Sequence, residues 1–91
     1  MLKIKNGFML RQVAGSYIVI GIGAEAVDFN GMVSINETGA FLWKILEKGA
    51  DKEDLLAALM QEYDVDEESA KKDITAFLQK LYDGKLLDIN G

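Results

Sequence analysis

The sequence predicts an α+β fold, a three-stranded antiparallel sheet followed by three helices in a winged-helix-like arrangement. The first observation behind this prediction is a change of period. Short β-branched runs with glycine turns fill the first part, and apolar residues at helical spacing fill the second. The second observation is size, because 91 residues with 49% hydrophobic content make one domain, residues 1–91, with one modest core. Helices that follow a sheet in so small a domain are expected to cover one of its faces.

The three strands are predicted from β-branched runs and from the turns between them. Residues 8–13 and 16–20 form two strands, joined by Ala14-Gly15 as a two-residue hairpin turn. The third strand is residues 31–35, which follow the tight-turn dipeptide Asn30-Gly31. A short strand at a sheet edge, beside helices, is a place where an extended peptide can dock.

Each of the three helices has a capping residue before its apolar stripe. Asn36, Asp51 and Asp66 are the predicted N-caps, since their side-chain oxygens can accept from the free N–H groups of a helix start. Gly49 and Gly84 are the predicted stops of the first and third helices. The predicted apolar positions are Phe41, Leu42, Ile45 and Leu46 in the first helix, Leu55, Leu56, Leu59, Met60 and Tyr63 in the second, and Ala70, Ile74, Phe77 and Leu81 in the third. Trp43 is expected in the core or half-buried, and residues 85–89 form a short terminal strand or an apolar tail.

The composition argues against several classes of function. The chain has no His and no Cys, which removes the usual general base, the commonest metal ligands and the thiol nucleophile, so we expect no enzyme and no cofactor. The net charge is −5 and all the excess acid lies in residues 44–91, which argues against nucleic-acid binding. There is no apolar run long enough to span a membrane and no signal peptide, so the expectation is a cytoplasmic protein without a membrane partner.

Two segments partly match the sequence patterns of known ligand sites, but local structure explains each of them better. Residues 21–26 fit the glycine pattern of a dinucleotide site, but Asn30-Gly31 leaves no room for the helix that such a site needs, so we interpret them as a loop. Residues 64–75 begin like a calcium loop, but Ser69 and Thr75 stand where that loop needs Gly and Glu. A helix cap followed by an acidic first turn explains this cluster better, and we expect no metal site.

The third helix carries a second row of residues beside its core stripe. Lys71, Thr75, Leu78 and Tyr82 recur at i, i+4, i+7 and i+11, and they combine a cation, a hydroxyl, an aliphatic and an aromatic side chain. One interpretation is a partly solvated shoulder of the helix. The other is one wall of a peptide groove whose second wall is the third strand.

The run Ser34 to Trp43, Ser-Ile-Asn-Glu-Thr-Gly-Ala-Phe-Leu-Trp, resembles the PqqD-like family, also called RiPP recognition elements. The resemblance extends from Leu10-Arg11-Gln12-Val13 through the turn at residues 28–31 to Gly84-Lys85-Leu86-Leu87. It implies a non-catalytic peptide chaperone, which binds the leader of a ribosomally made precursor peptide and presents it to a modifying enzyme, often a radical-SAM protein. The leader adds as a strand beside the third strand and lies against the third helix. Carried over here, the peptide site is Met32, Val33, Ser34 and Ile35 with Lys71, Thr75, Leu78 and Tyr82.

Two further functions stay open at the level of sequence. A winged-helix regulator would bind duplex DNA, although Glu67, Glu68 and Asp73 share the third helix with its lysines. A structural module could instead pair its open third strand with a second copy, so the expected state is a monomer or a weak homodimer.

Overall fold

A computed structural model describes residues 1–23 and 33–89 of the chain. The predicted turn Asn30-Gly31 and residues 31–32 of the predicted third strand lie outside the described residues. In chain order the elements are β1 (Lys3–Ile4), β2 (Phe8–Val13), β3 (Ser16–Gly21), β4 (Val33–Ile35), α1 (Glu37–Lys48), α2 (Lys52–Glu62), α3 (Glu67–Asp83) and β5 (Leu87–Asp88).

The main sheet has the order β2-β3-β4 and is antiparallel throughout. Ala14 and Gly15 both have positive φ, 51° and 83°, which is the conformation that a two-residue hairpin loop requires. The loop sets the register, with Val13 opposite Ser16, and in the next pair Ile18 lies opposite Ser34. The sheet of three antiparallel strands followed by three helices confirms the predicted fold class.

The three helices begin where the capping residues predict. Asn36 Oδ1 accepts from the Gly39 N–H at 2.8 Å, and Asp66 Oδ1 accepts from the Ser69 N–H at 3.1 Å. At the start of α2 the Asp51 N–H donates to Asp54 Oδ2 at 3.0 Å, and the Asp54 N–H donates to the Asp51 carbonyl at 3.1 Å. Residues 67–75 are helical in α3, so the acidic cluster is a helix start rather than a calcium loop.

The core lies between the helices and the inner face of the sheet. The predicted stripe of α3 is entirely buried, and so are Trp43 and Leu46 of α1. Phe41 and Ile45 are only half-buried, because α1 directs Leu42 and Trp43 at the centre of the core instead. The buried hydrophobic residues are Ile4, Val19, Ile35, Ala40, Leu42, Trp43, Leu46, Ala50, Leu55, Leu59, Ala70, Ile74, Phe77, Leu78, Leu81, Leu86 and Leu87.

The two ends of the chain meet in a second, two-stranded sheet. β1 pairs antiparallel with β5, with Lys3 opposite Asp88 and Ile4 opposite Leu87. The sequence predicts either a short terminal strand or an apolar tail at residues 85–89, and it predicts no strand near the N-terminus. A two-residue strand carries too little periodicity to be recognised, and its conformation depends on a partner that is distant in sequence.

Across the described residues, we find no helix with both the length and the apolar character needed to cross a membrane.

Candidate functional site

β4 forms one edge of the main sheet. The Ile22 N–H donates to the Gly7 carbonyl at 2.7 Å, so the even-numbered residues of β3 direct their backbone groups toward the β2 side. Backbone direction alternates along a strand, and the odd-numbered Tyr17 and Val19 therefore bond to Ile35 and Val33 of β4. Ser34, which lies opposite Ile18, consequently points its N–H and C=O away from β3 and toward the outer edge of the sheet.

A side chain from α3 already contacts this outer edge. Lys80 Nζ donates to the Ser34 carbonyl at 2.5 Å, across 46 positions of sequence, and the bond is exposed to solvent. The contact confirms that the Ser34 carbonyl faces α3. It also fixes which side of α3 lies beside β4.

A groove of about 360 Å³ lies between β4, the start of α1 and α3. The residues that line it are Ile35, Asn36, Thr38, Gly39, Leu42, Asp73, Ala76, Phe77 and Lys80. Ile35, Leu42 and Phe77 supply an apolar floor, and Asp73 and Lys80 place opposite charges two helical turns apart. An extended chain beside β4 would meet backbone groups on one side and these side chains on the other.

Gly39 allows α1 to approach α3 closely at the floor of the groove. A Cβ at this position would lie 3.1 Å from Cε1 of Phe77 and 3.1 Å from the capping oxygen of Asn36. A larger residue here would therefore shift either the aromatic ring or the helix cap.

Of the predicted strand residues that the structure describes, Ile35 lines this groove and Ser34 contacts its Lys80, whereas Val33 is not among the lining residues. Ile35 is buried and lines the floor, Ser34 is exposed at the edge, and Val33 is half-buried. Met32 lies outside the described residues.

The predicted helix row does not lie beside β4. Successive residues of an α-helix are about 100° apart, which places Lys71, Thr75, Leu78 and Tyr82 about 140–180° around the axis from Lys80. Lys71 and Thr75 instead border a cleft of about 270 Å³ toward α2, where they meet Lys52, Glu53 and Leu56.

The residues of the predicted helix row differ from one another in burial and in their partners, and they do not form one continuous wall of a groove. Lys71 forms an ion pair with Glu67 at 3.6 Å, one turn earlier in the helix. Leu78 is 6% exposed and belongs to the core, whereas Tyr82 is 59% exposed. The row is thus the flank of α3 nearer α2, and the structure does not join it to the third strand.

Asp73, Ala76 and Lys80 line the groove but are not among the site residues predicted from the sequence, and Phe77 is predicted only as a core residue. A signal was present, because Asp73, Phe77 and Lys80 recur at i, i+4 and i+7 on the other flank of the core stripe. The spacing of residues in the sequence cannot tell which flank of α3 lies beside β4, because that depends on how α3 crosses the sheet.

α3 does not present the continuous basic face that a DNA-reading helix needs. Lys71 is paired with Glu67, and Lys80 is bonded to the Ser34 carbonyl. Acidic residues fill the first turn of the helix, at Glu67 and Glu68.

Comparison with known proteins agrees with the fold and places the chain in a family. Residues 21–87 match the family model described as Coenzyme PQQ synthesis protein D (PqqD). The match spans well over half of the chain, and the protein therefore belongs to the PqqD family. No curated protein sequence matches the chain.

Two solved structures share the fold. One is described as TbiB1 in complex with the TbiA(beta) leader peptide, with 22% identity, a TM-score of 0.75, and coverage of 96% of this chain and 95% of that one. The other is lasso peptide synthetase B1 complexed with the leader peptide, with 20% identity, a TM-score of 0.73, and coverage of 96% of each chain. At these identities the likeness establishes a common fold.

Proposed function

We propose that this protein is a non-catalytic peptide chaperone. It binds the leader segment of a ribosomally made precursor peptide as an added strand along β4. It then presents the precursor to a modifying enzyme, for which a radical-SAM protein is the leading candidate. The observation that carries the proposal is the outer edge of β4, where the backbone of Ser34 faces a groove with an apolar floor.

The comparisons support a leader peptide as the ligand. Both structural neighbours are described as complexes with leader peptides, and each aligns over almost the whole of this chain. Membership of the PqqD family agrees with a role beside a biosynthetic enzyme.

The binding free energy expected for an added strand is small enough for reversible docking. Each backbone hydrogen bond between strands contributes about 0.5–1.5 kcal/mol net. The short edge of β4 supplies only a few such bonds, so burial of guest side chains against the accessible parts of Ile35 and Phe77 must add to them. For a leader that is disordered before it binds, we expect a dissociation constant of order micromolar, roughly −8 kcal/mol.

The composition supports a role in which this chain binds the peptide and a partner enzyme modifies it. The chain has neither His nor Cys, so the residues that most often act as general base or thiol nucleophile are missing from it. Chemistry on the bound peptide would then fall to the partner.

The test is amide-shift mapping by NMR during titration with the leader of a short precursor encoded beside this gene. We expect the largest shifts at Val33–Ile35 and at residues 73–80 of α3. Shifts confined to the cleft between α2 and α3 would contradict the β4 groove and favour the row that begins at Lys71. Light scattering with and without the peptide separates a monomeric receptor from pairing of β4 with a second copy.

A further inference from the structure

Lys80 occupies the backbone acceptor that an incoming strand needs. The Ser34 carbonyl faces the outer edge of β4, and Lys80 Nζ donates to it. An added strand would place one of its own N–H groups at this carbonyl. The guest N–H would therefore compete with the Lys80 ammonium for this carbonyl, or share its two lone pairs with it.

In either case the ammonium stays at the groove, because the Lys80 side chain is part of its lining. The positions four residues before and after Lys80 are Ala76 in α3 and Gly84 at its C-cap, and neither can form an ion pair with it. Asp83 lies three residues away, but its carboxylate accepts from Gln79 Nε2 at 2.8 Å. Asp73 lies seven residues away, about 10 Å along the helix axis. A guest peptide can supply the missing carboxylate directly.

We propose that Lys80 is a specificity-determining residue, which selects extended peptides carrying an Asp or Glu beside Ser34. This inference rests on the proposed function. Alternate residues of a strand point to the same side, so a guest side chain two positions from the acid would face the same wall. Phe77, one turn from Lys80, provides an apolar surface there. The ligand class is thus an extended segment with a carboxylate and an apolar side chain at alternate positions.

Because Lys80 is exposed to solvent, its preference for an acidic peptide over a neutral one is expected to be small. Exposed ion pairs change equilibria only modestly, which corresponds to about two- to five-fold in affinity. Lys80 therefore acts as a selector among peptides, and the strand hydrogen bonds and the apolar floor supply most of the affinity.

The experiment is a display selection of short random peptides against three proteins: the natural chain, Lys80→Glu and Lys72→Glu. Both lysines are exposed on α3, and Lys72 lies outside the groove lining, so Lys72→Glu makes the same charge change as a matched control. We expect Asp or Glu at one fixed position among peptides selected by the natural chain and by Lys72→Glu. For Lys80→Glu we expect Lys or Arg at that position.

The outcomes separate this inference from the function on which it rests. Selection of groove-binding peptides with the same acidic position by all three proteins would overturn the role of Lys80 and leave peptide binding intact. Selection of no groove-binding peptide by any protein would overturn both.

A second measurement uses one selected peptide and its Glu→Gln or Asp→Asn partner. For the natural chain we expect the amide peptide to bind about two- to five-fold more weakly. The difference should vanish in Lys80→Met and persist in Lys72→Met. A difference of the same size in Lys80→Met would show that another group recognises the acid.

Discussion

The two flanks of α3 border different neighbours, although both lie beside the same buried stripe. One flank, with Lys71 and Thr75, faces α2 across a narrow cleft. The other flank, with Asp73 and Lys80, faces the three-residue strand β4, whose outer edge has no paired strand among the residues the structure describes. A helix packed on another helix has its backbone bonds satisfied internally, whereas a sheet edge keeps unpaired groups. The flank beside β4 is therefore the one that can accept a further strand.

Truncation of Leu78 is expected to have the largest effect on the flank nearer α2. Because this side chain is 6% exposed within the core, Leu78→Ala should lower the free energy of unfolding by about 2–4 kcal/mol. Thr75→Ala, an exposed position on the same flank, should change it by less than about 0.5 kcal/mol. Urea unfolding followed by circular dichroism measures both. A stable Leu78→Ala protein that had lost only peptide binding would return Leu78 to the role of a groove residue.

The second test removes a backbone donor from each edge of the sheet. Ser34→Pro deletes an N–H that points to the outer edge of β4, so we expect leader affinity to fall by about ten-fold or more, since one bond and the close approach of the guest are lost. Gln12→Pro deletes the corresponding outward N–H on β2 and should leave affinity unchanged. Isothermal titration calorimetry provides the comparison. Equal losses in the two variants would mean that the leader does not distinguish β4 from β2.

A smaller effect is expected at the helix cap that borders the groove. Asn36 Oδ1 accepts from the Gly39 N–H, so Asn36→Ala should destabilise the protein by about 1 kcal/mol. Asn36→Asp keeps the acceptor and serves as the control. Thermal unfolding that shows equal stability for the natural chain and Asn36→Ala would mean that the cap contributes nothing to α1.

The smallest expected effect is a pH dependence of stability at the cap of α3, because Asp66 titrates whereas Asn36, the cap of α1, does not. The side-chain and backbone hydrogen bonds from Ser69 lower the pKa of Asp66 below its ordinary value. Its contribution to stability is thus present above the unfolded-state pKa and is lost as the pH falls through the folded-state pKa. In Asp66→Asn, urea unfolding between neutral and acidic pH should show a smaller loss than in the natural chain. An unchanged pH dependence would exclude Asp66 as a contributor.

The order of strands and helices, the caps and the α3 core stripe could be predicted from the sequence, because each depends on residues close together in the chain. Asn36 and Asp66 are capping residues that indicate where a helix begins from the local sequence alone. The helical spacing of Ala70, Ile74, Phe77 and Leu81 likewise identifies the buried face of α3. The position of β4 beside the flank of Asp73 and Lys80 depends on tertiary packing. For that reason the sequence could indicate a short edge strand at residues 33–35 but could not choose between the two flanks of α3, and the predicted helix row lies on the flank nearer α2. The strand at Lys3–Ile4 was missed for the same reason, since β5 is its partner.

Hydrogen exchange at the Ser34 amide reports whether a leader peptide adds to the sheet as a strand beside β4. In the free protein this N–H points away from β3, so we expect it to exchange faster than the amides of Val33 and Ile35. Saturation with leader peptide should slow exchange at Ser34, because the guest strand supplies its acceptor. Unchanged exchange at Ser34 under saturating peptide would show that the ligand does not extend the sheet at β4.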